Sequence, residues 1–284
     1  MSALAQLGKL TAEQKAILQS KTVKLNRSAD DLLALLDPIA EFDATAGSAR
    51  SKAGCVVALA FLAASVLFCA GWVVGGVGGI ACFVAAGVLA AVAAFIIIRV
   101  IRPLSAGFSG LSVNLREVTL PFLRILREEV PAGEPLQMQI DLDWLETAKH
   151  LLPGTDPNEK KYLASWFHGQ ATFADGTRLH WRVVDRLRTR TRTRRGISGK
   201  IKTKIKRVLR SDVAVKLAFP SKTYSLVPGS SGDEKPATDG RAKRLSVSLK
   251  KTTKTMMETP TEAFAMLLDL IADGYRSVTA RKGA

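Results

Sequence analysis

The sequence has little that catalysis or redox chemistry uses. Three cysteines and three histidines occur in 284 residues, and Cys55, Cys69 and Cys82 all lie in one uncharged apolar stretch. That placement excludes an extracellular disulfide framework and offers no thiolate spacing for a metal. It predicts that all three act as small apolar packing residues. His150, His168 and His180 have no carboxylate or thiolate at ligand spacing, although His168, His180 and Arg182 can share one face of a strand pair. The chain contains no GxSxG, no P-loop, no HExxH and no dinucleotide fingerprint. Asp141, Asp143 and Glu146 gather around Trp144, where a strand running into a helix cap accounts for them. The sequence therefore predicts no catalytic residue, no metal, no cofactor and a protein that is not an enzyme. Aromatic residues are scarce at 6%, and none falls in the most basic segment, which lacks the stacking platform of single-strand nucleic-acid binders.

Charge is missing from a longer stretch. From Ala53 to Ile98, 46 consecutive residues carry none. One crossing of a ~30 Å hydrocarbon core needs about 20 apolar residues, so the run fits two helices. Gly75, Gly76, Gly78 and Gly79 near its middle permit a tight reversal. The expected spans are Ala53–Val74 and Ile80–Ile98. The run starts too far along the chain for a signal peptide. A buried hairpin in a soluble protein would need a jacket of amphipathic helices, and the flanking sequence supplies only short ones. Arg50 and Lys52 precede the run, and Arg99 and Arg102 follow it. The positive-inside rule then puts both termini in the cytoplasm of an integral, multi-pass protein of an inner or plasma membrane. Gly71, Gly75 and Gly79 recur every four residues, as do Ala86, Ala90 and Ala94. Such spacing brings helices close, either within the hairpin or between copies that self-associate. No ionisable residue inside the spans marks an ion path.

Upstream, Thr11-Ala12-Glu13-Gln14 has capping-box spacing before a helix over AILQSKTVKL, and Ser28 can cap a second, DLLALLDPIAEF. Leu32, Leu33, Leu35, Leu36 and Ile39 form its apolar stripe. Asn26-Arg27-Ser28 is a chance sequon on the expected cytoplasmic side. Downstream, Leu104–Val130 reads as helix interrupted near Pro121, and Pro260 opens a last helix capped by Thr259, with Phe264, Leu267, Leu268, Ile271 and Tyr275 as its apolar face. Strands are expected at Leu136–Leu142, Tyr162–Phe173, Thr177–Leu187, Asp212–Phe219 and Leu245–Leu249, with a loop at Pro228–Arg241. Around Ala174-Asp175-Gly176, a three-residue loop pairs Phe173 with Thr177 and Phe167 with Val183. This register collects an apolar face, which a slip of one residue would scatter.

What the sequence has in excess is concentrated. Arg186–Arg210 (RLRTRTRTRRGISGKIKTKIKRVLR) holds twelve Lys/Arg and no acid, against a net charge of +16 for the chain. Strand periodicity puts Arg186, Arg188, Arg190, Arg192 and Arg194 on one face, and Lys200, Lys202, Lys204 and Lys206 of a returning strand on one face as well. If Arg194 pairs with Lys200, like charges oppose one another; the other parity sets arginines against threonines. The sequence leaves the two open. A solvated sheet edge explains some of this charge, but a protein needing only solubility mixes signs.

The expected fold class is therefore an α+β membrane protein: a two-helix transmembrane hairpin plus a cytoplasmic antiparallel-sheet domain with packed helices. Its divisions are residues 1–52 (helical), 53–103 (hairpin) and 104–284, the last carrying the basic β-ribbon 186–210. The expected function is a membrane-anchored interaction module. Its ribbon (Arg188, Arg190, Arg192, Arg194, Arg195, Lys200, Lys202, Lys204 and Lys206) binds an anionic surface, lipid headgroups first. One alternative is a hairpin that oligomerises through its glycines and alanines and permeabilises a membrane. Another is a membrane-tethered binder of nucleic acid or another polyanion.

Overall fold

The computed structural model describes residues 3–101, 111–154, 156, 158–195, 200–228, 232–236, 243–255 and 260–281. Its principal elements are α1 (Ala3–Lys9), α2 (Ala12–Ser20), β1 (Thr22–Arg27), α3 (Ala29–Val74), α4 (Gly76–Ile96), α5 (Leu120–Glu129), β2 (Leu136–Asp141), β3 (Glu159–Thr172), β4 (Arg178–Arg195), β5 (Ile201–Pro220), β6 (Tyr224–Leu226), β7 (Gly232–Pro236), β8 (Lys243–Thr255), α6 (Pro260–Arg276) and β9 (Val278–Ala280). The protein thus combines helices with antiparallel sheet. Two compact units emerge: residues 1–19 with 37–111, and residues 20–36 with 112–284.

In the first unit, Thr11 Oγ accepts from the Gln14 amide and Gln14 Oε1 accepts from the Thr11 amide, at 3.2 and 2.8 Å. This is the expected capping box. The helix does not continue through Leu25, however. Lys21 adopts a φ of 54° and ends it, and Thr22–Arg27, which opens on the β-branched Thr22 and Val23, becomes strand β1 in the other unit. Residues 1–52 are therefore not uniformly helical. Ser28 caps α3 through the Asp31 amide at 3.2 Å, and Leu32, Leu36 and Ile39 are fully buried.

Helix α3 runs unbroken through Pro38 to Val74, 46 residues. Gly75 and Gly76 then reverse the chain with φ of 60° and 57°, so the second apolar helix starts at Gly76, earlier than Ile80. Both helices are long and apolar enough to cross a membrane, with 11% of the most apolar window of each buried. Within the apolar stretch, the buried positions are Ala64 and Gly71 on one helix and Gly79, Ala86 and Ala93 on the other. Their seven-residue spacing is the seam of two helices packed side by side. A Cβ at Gly79 would lie 2.7 Å from the Gly71 carbonyl oxygen. A Cβ at Gly75 would meet nothing within 4 Å, so this glycine serves the turn rather than the helix contact. Ala90 is half-buried and Ala94 exposed, so the seam passes through Ala93. Cys55 and Cys69 are exposed, and Cys82 is half-buried, so the first two do not pack as expected. The outward residues are large and apolar: Leu59, Leu62, Val66, Val73 and Val77 are all exposed.

The second unit is built on a seven-stranded antiparallel sheet, ordered β1-β2-β3-β4-β5-β8-β7. The register Phe167↔Val183, Gly169↔Trp181 and Ala171↔Leu179 is the one expected from the apolar face, and the Phe173 amide donates to Thr177 O at 2.9 Å. A bulge between Ser165 and Phe167 turns both Trp166 and Phe167 inward, where each is at most 3% exposed. Phe122 of α5 packs edge-on against Phe167 and Trp181, with ring centroids 5.8 and 5.3 Å apart. Pro121 stands in the first turn of α5, where its missing N–H costs nothing. A π-helical turn, Leu115–Thr119, precedes it.

Helix α6 begins at Pro260, as expected; Thr259 lies outside the described residues. It buries Ala263, Met266, Leu267, Leu270 and Gly274, while Phe264, Leu268, Ile271 and Tyr275 are half-buried. The inward face is thus rotated by about one residue from the expected one, because Gly274 lets the helix approach Leu217 of β5. The stretch expected as a loop at Pro228–Arg241 contains edge strand β7, paired to β8; 229–231 and 237–241 lie outside the described residues. Asp175, in the β3–β4 turn, accepts from Tyr224 and Tyr275 hydroxyls at 2.8 and 3.1 Å and from the Thr177 amide at 2.8 Å. That carboxylate ties β6 and the end of α6 to the hairpin.

Gly169 carries the close packing of this core. A Cβ there would sit 2.5 Å from both Gln137 O and the Trp181 ring. Gly169→Val is expected to destabilise the sheet unit by about 1–3 kcal/mol, the cost of overpacking, read as a lowered unfolding temperature by near-ultraviolet circular dichroism. An unchanged transition would refute this account of Trp181.

Candidate functional site

The basic segment forms the long pair β4 and β5. The pairs Leu179↔Leu217, Trp181↔Val215, Val183↔Val213 and Leu187↔Leu209 are all buried. Extending that parity outward gives Arg186↔Arg210, Arg190↔Lys206, Arg192↔Lys204 and Arg194↔Lys202. Like charges therefore face one another, which is one of the two parities left open. The register is displaced by two residues from a pairing of Arg194 with Lys200: Arg188 meets Val208, and Arg195 meets Ile201. The turn at Gly196-Ile197-Ser198-Gly199 lies outside the described residues. The strand expected at Asp212–Phe219 and the returning basic strand are one strand of 20 residues.

The last core contact under the ribbon joins Tyr162, Leu187 and Leu209. Strand β3 leaves at Glu159↔Arg190, and β8 leaves at Leu209↔Thr255. The Thr191 amide still donates to Asn158 O at 2.8 Å; from Arg192↔Lys204 to Arg195↔Ile201 the described residues form two strands alone, an arm of about 14 Å at ~3.4 Å per residue. One face carries Arg192, Arg194, Lys202 and Lys204. The other carries Thr191, Thr193, Arg195, Thr203, Ile201 and Ile205, with Ile201 70% and Ile205 58% exposed. Thr193 and Thr203 hydroxyls approach to 3.4 Å across the ribbon.

Among the described residues, the acids that pair with the ribbon stand at its root. Asp212, almost wholly buried, lies 3.2 Å from Arg186 and 3.5 Å from Arg210, the first like-charge pair, and accepts from Thr252 Oγ1 at 2.7 Å. Burial works to raise its carboxyl. The Thr252 bond and then Lys250, Arg186 and Arg210 outweigh that and hold it below the usual carboxylate range. Glu159 accepts from Arg188 at 2.6 Å, and that bond draws the half-buried Glu159 carboxyl downward. On the opposite face, Glu146 pairs with Arg207 at 3.1 Å. Among the described residues, no acid pairs with Arg190, Arg192, Arg194, Arg195, Lys200, Lys202, Lys204 or Lys206. Each bare like-charge pair is destabilising by some tenths of a kcal/mol.

The acidic cluster near Trp144 is likewise spent on ion pairs. Asp141 binds Lys149 at 2.6 Å, and Asp143 binds Lys21 at 3.2 Å. Buried His150 lies 3.7 Å from Asp141; burial lowers its basicity more than Asp141 restores it. No group of three metal-ligating side chains forms among the described residues. Period two also shows what the linear reading of 186–210 missed. The solvent face of β4 continues past the ribbon through Arg182, His180 and Arg178, all exposed. Lys216 of β5 and Lys250 of β8 share that face by register. The signal was present in the alternation of Arg178-Leu179-His180-Trp181-Arg182. Comparison of the chain with family models, with curated proteins and with solved structures finds no match.

Asp212 is the group on which the crowded root depends. Its depressed carboxyl adds stability that is present above the unfolded carboxylate pKa of ~3.9 and is lost as pH falls through the lower folded value. Asp212→Asn is expected to destabilise the sheet unit at neutral pH by about 1–3 kcal/mol, the cost of a charged hydrogen-bond partner lost in a buried setting. The gap from the unsubstituted protein should close below about pH 4. Chemical denaturation at both pH values measures it, and a pH-independent gap would sink the assignment.

Proposed function

We propose that this protein is a membrane-anchored, non-enzymatic interaction module that binds an anionic surface, lipid headgroups first, through the basic face of the β4–β5 ribbon. The observation that carries the reading is the bare distal ribbon. Its cations, Arg195 apart, are stacked on one face, against their mutual repulsion, and among the described residues the acids that pair with them stand at the root. An external anion relieves that repulsion, so binding restores what the isolated fold gives up.

Two features favour lipid as the source of the anion. The apolar, outward-facing α3–α4 hairpin suits a bilayer, whose cytoplasmic leaflet attracts basic segments by roughly 1 kcal/mol per residue near the surface. Tethering also raises effective concentration, so modest attraction suffices. In this reading the termini lie in the cytoplasm and the membrane is an inner or plasma membrane. Nucleic acid is less favoured because Trp166 and Trp181 are buried and the ribbon's faces carry no ring to stack on a base. The pore reading loses its glycines: Gly71 and Gly79 already meet across the hairpin, and Gly75 makes its turn.

The test uses the full chain in neutral nanodiscs, because β1 belongs to the sheet and a fragment starting at Leu104 would lack it. Titration with anionic vesicles across a salt series should show binding that weakens as salt rises and survives an oligonucleotide competitor. The combined Arg190→Gln, Arg192→Gln, Lys202→Gln and Lys204→Gln variant should bind at least about tenfold more weakly, even with repulsion reducing the per-residue gain. Oligonucleotide binding without vesicle binding would replace lipid by nucleic acid. Unchanged affinity in the variant would reduce the ribbon to a solvated edge.

A further inference from the structure

The histidines and arginine that sequence reasoning set aside as a poor metal site come together on the same solvent face of the sheet. Register draws a row straight across four strands: Lys24↔Gln139, Gln139↔His168, His168↔Arg182. A second row beside it runs Asn26↔Gln137↔Gln170↔His180. Between and over these rows lies an open groove of about 680 Å³. Arg182 Nε donates to Ser165 Oγ at 3.2 Å, and Gln170 Nε2 to Gln137 Oε1 at 2.6 Å, so part of its lining is already fixed. His168 Nδ1 is shielded from solvent and has no hydrogen-bond partner. No carboxylate lines the groove among the described residues.

A metal would need carboxylate or thiolate companions that this face lacks. The same lining is rich in what an anion needs: an ammonium, a guanidinium, side-chain amides, a hydroxyl and imidazole. Burial lowers the basicity of His168, and Arg182 and Lys24 lower it further. The permanent charge of the groove is therefore that of Lys24 and Arg182. The ribbon presents evenly spaced cations alone, so it reads charge density; the groove sets two cations among neutral hydrogen-bonding groups, so it can read the shape of a headgroup.

We propose that this groove is a binding site for a phosphomonoester, and that the phosphate it takes is the headgroup of a lipid. The lipid source rests on the membrane-surface reading above, whereas the phosphate site stands on the groove alone. A monoester brings up to two negative charges and three acceptor oxygens, enough to engage Arg182, Lys24 and an amide or imidazole together. A diester presents one charge and fewer free oxygens.

The experiment compares two acceptor vesicles of equal measured surface charge, one containing phosphatidate (a monoester) and one phosphatidylglycerol (a diester). Each is titrated against the full chain in neutral phosphatidylcholine nanodiscs. The unsubstituted protein should bind phosphatidate vesicles about fivefold more tightly, the scale of one net hydrogen bond. The double variant Lys24→Gln, Arg182→Gln should lose that preference, so that its affinities for the two vesicles agree within about twofold. The ribbon variant should weaken binding to both vesicles and keep their ratio, which separates groove from ribbon. Equal binding of the unsubstituted protein to the two lipids, or a preference that survives K24Q/R182Q, would overturn the proposal. If neither vesicle binds, inorganic phosphate is titrated while the His168 ring resonances are followed. A saturable shift abolished by K24Q/R182Q keeps the phosphate site and discards the lipid source; no shift discards the site.

Discussion

The sheet is governed by strand parity. Once Trp181 faces Val215 and Leu187 faces Leu209 in the core, every second residue outward on both strands is committed to the opposite face. Arg192 must then lie beside Lys204, and Arg194 beside Lys202. The repulsion between them, some tenths of a kcal/mol per pair, is small beside the burial of an aromatic or aliphatic core residue, about 1.5–3 kcal/mol for each large side chain. Core packing decides the register, and the charges follow. Neutralisation is local: Asp212 serves the pair nearest the core, Glu159 serves the next arginine, and the rest of the face is left to solvent or to a ligand.

Much of this was legible in the linear sequence, for identifiable reasons. The β3–β4 register could be read because both strands carry a strong apolar alternation on either side of Asp175-Gly176. The Thr11 and Ser28 caps could be read because a hydroxyl three residues before a side-chain acceptor is a local signal. The ribbon register could not be read from the basic repeat itself. Its parity is fixed some ten residues away, by Leu187 and Leu209, which belong to the core rather than to the basic repeat.

Other elements escaped because their structure comes from distant partners. Thr22–Arg27 continues a helical pattern in sequence, but β2, more than a hundred residues later, supplies the hydrogen bonds that make it a strand. Gly232–Pro236 has the composition of a loop and is an edge strand because β8 lies beside it; Pro236 suits an edge, where an N–H can be spared. On α6, the inward face turned by one position because Gly274, which an apolar-stripe reading ignores, permits the closest approach. The candidate groove was visible only in pieces. His168, His180 and Arg182 were near one another on a hairpin, while Lys24 entered from a segment read as helix.

The two-stranded arm has a mechanical consequence. Two strands without a third, or a core beneath them, are marginally stable, so opening costs less free energy for each pair farther from Leu187 and Leu209. The result is an arm of graded stiffness, with a rigid base and a compliant end, and the unpaired cations crowd toward the compliant end. A rigid plate of charges would touch an uneven surface at a few points. A tapering one can drape, bringing successive arginines and lysines into register with whatever charge spacing it meets.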